Sequence, residues 1–208
     1  SPAYSHLYLC IAGELAAVIC IHDPLRREAR DAVAALHACG IGKVVMMTGD
    51  NRQTAQAVAR EVGVDAVYAE VLPEDKAAFI RSEKAAGRTV IMVGDGVNDS
   101  PALSEADAGV AISTGAAIAR EIADITIASE DLFELVTLRR LSQALMARIH
   151  RNYRFIVGFN LSLILLGVAG LLPPTTSALL HNMSTLGISL KSMTDLGPEL
   201  PSPTPAER

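Results

Sequence analysis

A chain of 208 residues leaves room for one or two domains and a sizeable core. Its 18 Lys and Arg against 23 Asp and Glu give a formal net charge of −5, which argues against nucleic acid as the main partner. Half of the residues are hydrophobic, there is no Trp, and the mean hydropathy is +0.31; this is too apolar for a purely soluble domain, and the excess sits in the C-terminal third.

From the N-terminus, Leu7 to Ala12 and Glu14 to Ile21 read as two strands joined tightly at Gly13. Asp23 and Pro24 predict a helix start, with Asp23 as N-cap and Pro24 in the first helical position. Leu25, Ala29, Val33 and Leu36 supply its apolar face, and Gly40 ends it. Val44 to Met47 reads as a buried strand leading into Thr48-Gly49-Asp50, followed by a helix from Arg52 to Val62 that Gly63 stops. A short strand over Ala66 to Ala69 precedes a helix that opens at Pro73-Glu74-Asp75-Lys76 and ends at Gly87. Thr89 to Val93 is an apolar run of the kind that forms a buried parallel strand. Gly109 to Ile112 and Asp124 to Ala128 predict two more short strands, with a helical turn or two over Ala116 to Ile122. Repeated β–α units of this length imply an α/β fold with a doubly wound parallel sheet. Cys10, Cys20 and Cys39 form no CxxC pair and predict free buried thiols in a reducing compartment.

Asp131 to Arg154 is helical and increasingly basic, with Arg139, Arg140, Arg148, Arg151 and Arg154. Phe155 to Leu172 carries no charge and, at about 1.5 Å per residue, reaches about 27 Å, enough for a bilayer core. After Pro173-Pro174, Thr175 to Leu190 is a second uncharged stretch, ending at Lys191. The pair predicts a transmembrane helical hairpin with both outer ends in the cytoplasm; a buried helical hairpin of a soluble protein is the alternative. The expected organisation is an α/β domain over 1–130, a basic linking helix over 131–154, two transmembrane helices over 155–194 and a disordered Pro-rich tail over 195–208.

The chemistry concentrates between Val90 and Leu103, where the apolar run ends in a glycine-flanked turn carrying Asp95, Asn98 and Asp99. Paired carboxylates at the C-terminal edge of a strand suit Mg²⁺, a hard cation often shared with a phosphate. Taken alone, Gly94-Asp95-Gly96 is an ordinary turn and Lys76 an ordinary solvated helix lysine. Taken together, Thr48, Gly49 and Asp50, then Lys76, then Asp95, Asn98 and Asp99 all follow the C-terminal ends of strands, where open α/β sheets bind ligands. A hydroxyl and backbone N–H groups for phosphate oxygens, an ammonium for their charge and carboxylates for Mg²⁺ match phosphoryl transfer.

These segments, Thr48-Gly49-Asp50-Asn51, the lysine of Pro73-Glu74-Asp75-Lys76, and Gly94-Asp95-Gly96-Val97-Asn98-Asp99-Ser100-Pro101-Ala102-Leu103, resemble the phosphorylation domain of P-type ATPases, within the haloacid dehalogenase superfamily. Asp23-Pro24-Leu25-Arg26 resembles the segment where the chain re-enters that domain, and the brief C-terminal hairpin resembles the heavy-metal (type IB) pumps. The likeness runs from about Gly13 to Leu196. It implies a pump that hydrolyses ATP through an aspartyl phosphate and moves a transition-metal cation across a membrane. It assigns Thr48 to the phosphate, with Gly49 beside it in the same catalytic and cofactor-binding loop, Asp50 to the loop near the nucleotide, Lys76 to the phosphoryl charge, Asn98 to the phosphate, and Asp95 with Asp99 to Mg²⁺. It implies ATP held largely outside this chain, a lipid bilayer as partner, and a multi-pass protein of the plasma membrane with the α/β domain cytoplasmic.

The nucleophile of that family is the aspartate of Asp-Lys-Thr-Gly-Thr, and the sequence holds no such motif. The chain is therefore expected to be the C-terminal fragment of a pump, unable to form a phosphoenzyme without the missing N-terminal part. Two alternatives stay open: a membrane-anchored haloacid-dehalogenase-type phosphatase using Asp23, and a non-enzymatic partner subunit of a split pump. For the transported cation, His181, Ser184 and Thr185 are three and four apart and share a helix face, and Asn160 sits in the other uncharged stretch. The His-x-x-Ser-Thr arrangement resembles the last helix of cobalt-type pumps, though Asn182-Met183 replaces the usual acidic-Gly pair. Such groups also simply bond neighbouring helices, so the metal stays open.

Overall fold

The computed structural model describes residues 5–21, 24–95, 99–112, 121–129 and 131–195. Asp23, Asn98, most of the turn expected from Ala116 and nearly all of the Pro-rich tail lie outside these residues. The chain divides into two compact units between Val136 and Thr137.

The first unit opens with an antiparallel hairpin, β1 (Ser5–Ile11) and β2 (Glu14–Ile21). Its two-residue turn places Ala12 at φ 52° and Gly13 at φ 86°, the left-handed pair that a right-twisted hairpin needs. Leu9 faces Ala17 but Cys10 faces Leu15, so the register slips by a bulge. The hairpin pairs with no other strand among the described residues, and Leu7, Tyr8, Leu15 and Ile19 are exposed on it. Cys10 and Cys20 share that exposure, so the expectation of buried thiols holds for Cys39 alone.

The rest of the unit alternates strand and helix: α1 (Ala29–Ala38), β3 (Val45–Met47), α2 (Arg52–Val62), β4 (Ala66–Tyr68), α3 (Pro73–Ala85), β5 (Ile91–Gly94), α4 (Ser100–Glu105), β6 (Ala108–Ile112) and β7 (Ile125–Ile127). All pairings here are parallel, as predicted. The described strands form two sheets, β3–β4 and β5–β6–β7, rather than one continuous doubly wound sheet. Within the second, β6 is central, with Val110 and Ala111 fully buried. β5 is its edge, and Ile91 and Val93 are exposed, which corrects the reading of this run as a buried strand.

Helix α1 begins at Ala29, later than the Asp23-Pro24 signal predicts. The Ala29 N–H already bonds the Arg26 carbonyl in a separate turn, and Glu28 at the cap makes no side-chain bond. By contrast α2 has the predicted bounds, because Asn51 Oδ1 accepts the Thr54 N–H at 3.0 Å and Gly63 ends it. The buried side chains of the helices are mostly small: Ala32, Ala55, Ala59, Ala77 and Ala102 are buried, with the larger Ile80 and Leu103.

Helices α3 and α4 are laced beyond that core. Arg81 Nη1 reaches Glu105 Oε2 at 3.2 Å, and Lys84 Nζ bonds the Glu105 carbonyl at 2.7 Å and stands 3.4 Å from Asp107. The Val90 N–H, donating at 2.8 Å, and then the Lys84 ammonium hold the Asp107 carboxyl below the usual carboxylate range. Because its folded pKa is depressed, Asp107 stabilises the fold fully above the ordinary value of about 4, and that contribution is lost as pH falls through the lower folded value. Asp107→Asn is expected to be less stable near neutral pH, with a shallower loss below about pH 4. Urea midpoints at both pH values check this, and equal acid dependence in the two proteins would contradict it.

The second unit holds a helical hairpin built from α5 (Phe133–Val168, beginning at the end of the first unit) and α6 (Pro174–Ser192). The basic linking helix and the first uncharged stretch are thus one continuous helix. It ends at Val168 rather than Leu172, because Gly170 turns left-handed at φ 72° and the Leu171 N–H folds back to the Leu166 carbonyl. Among the described residues no helix is long and apolar enough to cross a membrane, which corrects the expectation of transmembrane helices over 155–194. The helical part of the first stretch, Phe155 to Val168, spans only about 21 Å and follows Arg151 and Arg154 directly. In α6 the hydroxyls, His181 and Asn182 dilute the apolar residues. Arg148, read from sequence as part of a basic flank, is instead buried at 5% exposure, and its guanidinium donates to the Thr194 and Asp195 carbonyls at 2.6 and 2.9 Å.

Candidate active site

The site grows from three loops that follow β3, β4 and β5. The first two are zipped together beyond their strands by backbone bonds: Thr48 N–H to the Tyr68 carbonyl at 3.0 Å, Glu70 N–H to the Asp50 carbonyl at 2.9 Å, and Val71 N–H to the Thr48 carbonyl at 3.0 Å. Glu70 reaches its partner in a left-handed conformation, φ 57°, which costs a non-glycine residue about 1–2 kcal/mol. Within the first loop, Thr48 Oγ1 donates to Asp50 Oδ2 at 2.7 Å and accepts the Asp50 N–H at 3.1 Å. This local ring fixes the hydroxyl at the end of β3.

The zipped loop leads into α3. Leu72 caps it without a polar side chain; instead Asp75, in the first turn, accepts the Leu72 N–H at 3.2 Å. That bond and Pro73 set the first turn, and Lys76 follows on its inner side. Its Nζ lies 2.7 Å from Asp99 Oδ1, with the two side chains only 16% and 14% exposed. Asp99 starts α4, and its carboxylate lies over Gly94, so close that a Cβ at Gly94 would stand 2.5 Å from Oδ2. Gly94 is the last residue of β5, and Asp95 comes next, exposed at the mouth of the loop.

The structure thus joins Lys76 directly to Asp99 and ties the Thr48–Asp50 loop to the segment that leads into α3, while a Cβ added at Gly49 would meet only the Val71 carbonyl oxygen, at 3.9 Å. Asn98 lies outside the described residues. Sequence reasoning missed the Asp75 bond, although an acidic residue in the first turn after Pro73 is a recognised helix-start signal. No local pattern signals Glu70.

Do these residues fit Mg²⁺? Among the described residues no three His, Cys, Asp or Glu side chains gather into a metal cluster. Mg²⁺ does not need one, since it keeps several waters and takes one or two carboxylates with substrate phosphate. Asp95 after β5 and Asp99 at the start of α4 would supply such a donor set, and an ammonium already stands on Asp99 as a cation.

In the second unit, His181 Nδ1 donates to Asn160 Oδ1 at 2.8 Å, joining the two helices. Ser184 Oγ and Thr185 Oγ1 both donate to the carbonyl of His181 itself, at 2.8 and 3.0 Å.

A family model for haloacid dehalogenase-like hydrolases matches residues 3–107, which hold every described site residue of the first unit. The chain belongs to the haloacid dehalogenase-like hydrolase family. It is 46% identical over 176 residues to Copper-transporting ATPase 2 of Rhizobium meliloti, covering 85% of this chain and 21% of that protein. It is 40% identical over 191 residues to the Manganese-exporting P-type ATPase of Mycobacterium tuberculosis H37Rv, covering 91% of this chain and 27% of the relative. A crystal structure of a zinc-transporting PIB-type ATPase in the E2.Pi state matches 93% of this chain and 32% of its own, with a TM-score of 0.80 and 29% identity. The chain therefore resembles metal-transporting P-type ATPases and spans between about a fifth and a third of the length of these relatives.

Proposed function

We propose that this chain serves as the C-terminal part of an ATP-driven pump for a transition-metal cation, whose parent hydrolyses ATP through an aspartyl phosphate. The observation that carries the reading is Lys76 on Asp99 beside Asp95, at the end of a parallel strand in a haloacid dehalogenase-like domain. In this reading Thr48, the Gly49 N–H, Lys76 and Asn98 receive phosphoryl oxygens, Asp50 borders the nucleotide, and Asp95 and Asp99 hold Mg²⁺. The bound Mg²⁺ supplies positive charge against the phosphoryl oxygens. ATP itself is held mostly by parts of the parent outside this chain.

The relatives are named for copper, manganese and zinc, so they leave the cation of this chain undecided. His181 is its best candidate ligand. Its Nδ1 lies 2.8 Å from Asn160 Oδ1, the kind of contact by which a second residue orients a metal-binding imidazole. Ser184 and Thr185 stand on the same face. The pump belongs in a membrane, with the α/β unit on the cytoplasmic side. The exposed Leu161, Ile164, Leu165, Leu179 and Leu186 of the hairpin then meet other parts of the pump.

Because Asp-Lys-Thr-Gly-Thr is absent, the 208-residue chain is expected to take no acid-stable label from [γ-³²P]ATP, while a full-length pump containing this sequence does. In that pump Asp95→Asn is expected to lower metal-stimulated ATP hydrolysis by about 100-fold or more, the scale of a lost electrostatic contact to a transition state. Labelling of the chain alone, or normal hydrolysis with Asp95→Asn, would overturn the reading.

A further inference from the structure

Lys76 and a divalent cation have claims on the same atom. Nζ sits at 2.7 Å from Asp99 Oδ1 in a pair that is mostly buried, and the other carboxylate oxygen lies only 2.5 Å from where a Cβ on Gly94 would stand. One oxygen of the carboxylate is therefore already covered by a positive charge, and the other occupies the space that the missing Gly94 side chain leaves. A magnesium ion takes a carboxylate oxygen at about 2.0–2.1 Å. An ammonium at hydrogen-bond distance from that same oxygen would crowd it with like charge. Lys76 has to leave Asp99 first, and its flexible four-carbon stem on the first turn of α3 allows the head to swing. Once displaced, a largely buried ammonium needs another anion. In a phosphoryl-transfer site the phosphate is that anion.

Resting on the Mg²⁺ assignment made above, we infer that Lys76 is an internal counter-cation: it suppresses divalent-cation binding at the phosphate-free site and makes cation and phosphate bind cooperatively. The coupling is reciprocal. Phosphate draws Lys76 away and opens Asp99 to the metal, and the metal on Asp99 releases Lys76 to the phosphate. Exchange of partners, rather than simple charge neutralisation, then sets the order in which the site fills.

The test is Mn²⁺ binding to the 208-residue chain, followed by electron paramagnetic resonance with and without inorganic phosphate. In the unsubstituted chain phosphate is expected to tighten Mn²⁺ by about tenfold, within the usual range of coupling between two sites. Lys76→Met is expected to bind Mn²⁺ about tenfold more tightly without phosphate and to gain nothing when phosphate is added. Lys76→Arg, which keeps the charge, should behave as the parent does. Lys84→Met, at the far end of the same helix, should change neither value, so that a general loss of positive charge is distinguished from the local exchange. Circular dichroism confirms that each variant is folded. Unchanged or weaker Mn²⁺ binding in Lys76→Met, with Asp95→Asn still impairing it, overturns the counter-cation role and leaves the Mg²⁺ assignment standing. Mn²⁺ binding that is indifferent to Asp95→Asn overturns the assignment and the role together.

Discussion

Gly109→Ala is expected to lower the stability of the α/β unit by about 2–3 kcal/mol, the upper part of the range for overpacking a core. The added Cβ would stand 2.7 Å from the Leu103 carbonyl oxygen and 3.2 Å from its carbon. Both are backbone atoms, and Leu103 is itself 1% exposed at the base of α4, so neither partner can step aside. β6 is the central strand of its sheet, and the Gly109 N–H is also held by Asp124 Oδ2 at 2.8 Å. Relief therefore requires moving α4 against the sheet. Urea unfolding followed by circular dichroism should show a midpoint lower by roughly 1–2 M, given a dependence of about 1–3 kcal/mol per molar for small domains. Gly42→Ala, which meets nothing within 4 Å, is the control and should stay within about 0.5 kcal/mol. Equal midpoints for the two variants would show that α4 is free to shift.

Gly94→Ala is expected to act on the site more than on the fold. Here the new Cβ meets a side chain: Asp99 Oδ2 at 2.5 Å, Cβ at 2.8 Å and Cγ at 3.0 Å. A side chain can rotate, so the stability cost is expected to be only about 1–2 kcal/mol. The rotation carries the carboxylate away from β5 and off Lys76. Mn²⁺ affinity in the presence of phosphate is expected to fall by about tenfold or more, roughly the effect of disturbing the partners that orient a ligand. Titration and unfolding of the same sample separate the two effects. Unchanged affinity would mean that the position of Asp99 against Gly94 is irrelevant to cation binding.

What the sequence makes legible follows from the range of the forces involved. α2 is legible because its cap, Asn51, and its stop, Gly63, are both adjacent to the helix they define. The residue types of the site are legible for the same reason, since each loop directly follows its own strand. The start of α1 is not, because Pro24 is compatible with a helix start but does not impose one, and the chain makes a separate turn at Arg26 first. An apolar run reports that a strand is wanted but not how many neighbours it has, so β5 reads as buried when it lies at an edge. The pairing of Lys76 with Asp99 joins residues 23 positions apart through the packing of α3 on α4, and no local pattern encodes that. In the hairpin, the absence of charge to Leu172 suggests a longer helix, whereas Gly170 and the bond from Leu171 to Leu166 close it earlier.

The ties across that hairpin have a mechanical consequence. Arg148 to the carbonyls of Thr194 and Asp195, Asn152 Nδ2 to Ser192 Oγ at 2.9 Å, and Asn160 to His181 at 2.8 Å are separate contacts spread along both helices. Each works at only one axial offset. A slide of one helix past the other by a single residue, about 1.5 Å, would misalign all of them at once. Greasy contacts alone would permit such slippage in small steps. The hairpin instead resists shear as a bolted pair does, so a force applied to one helix is passed to the other with little loss of travel.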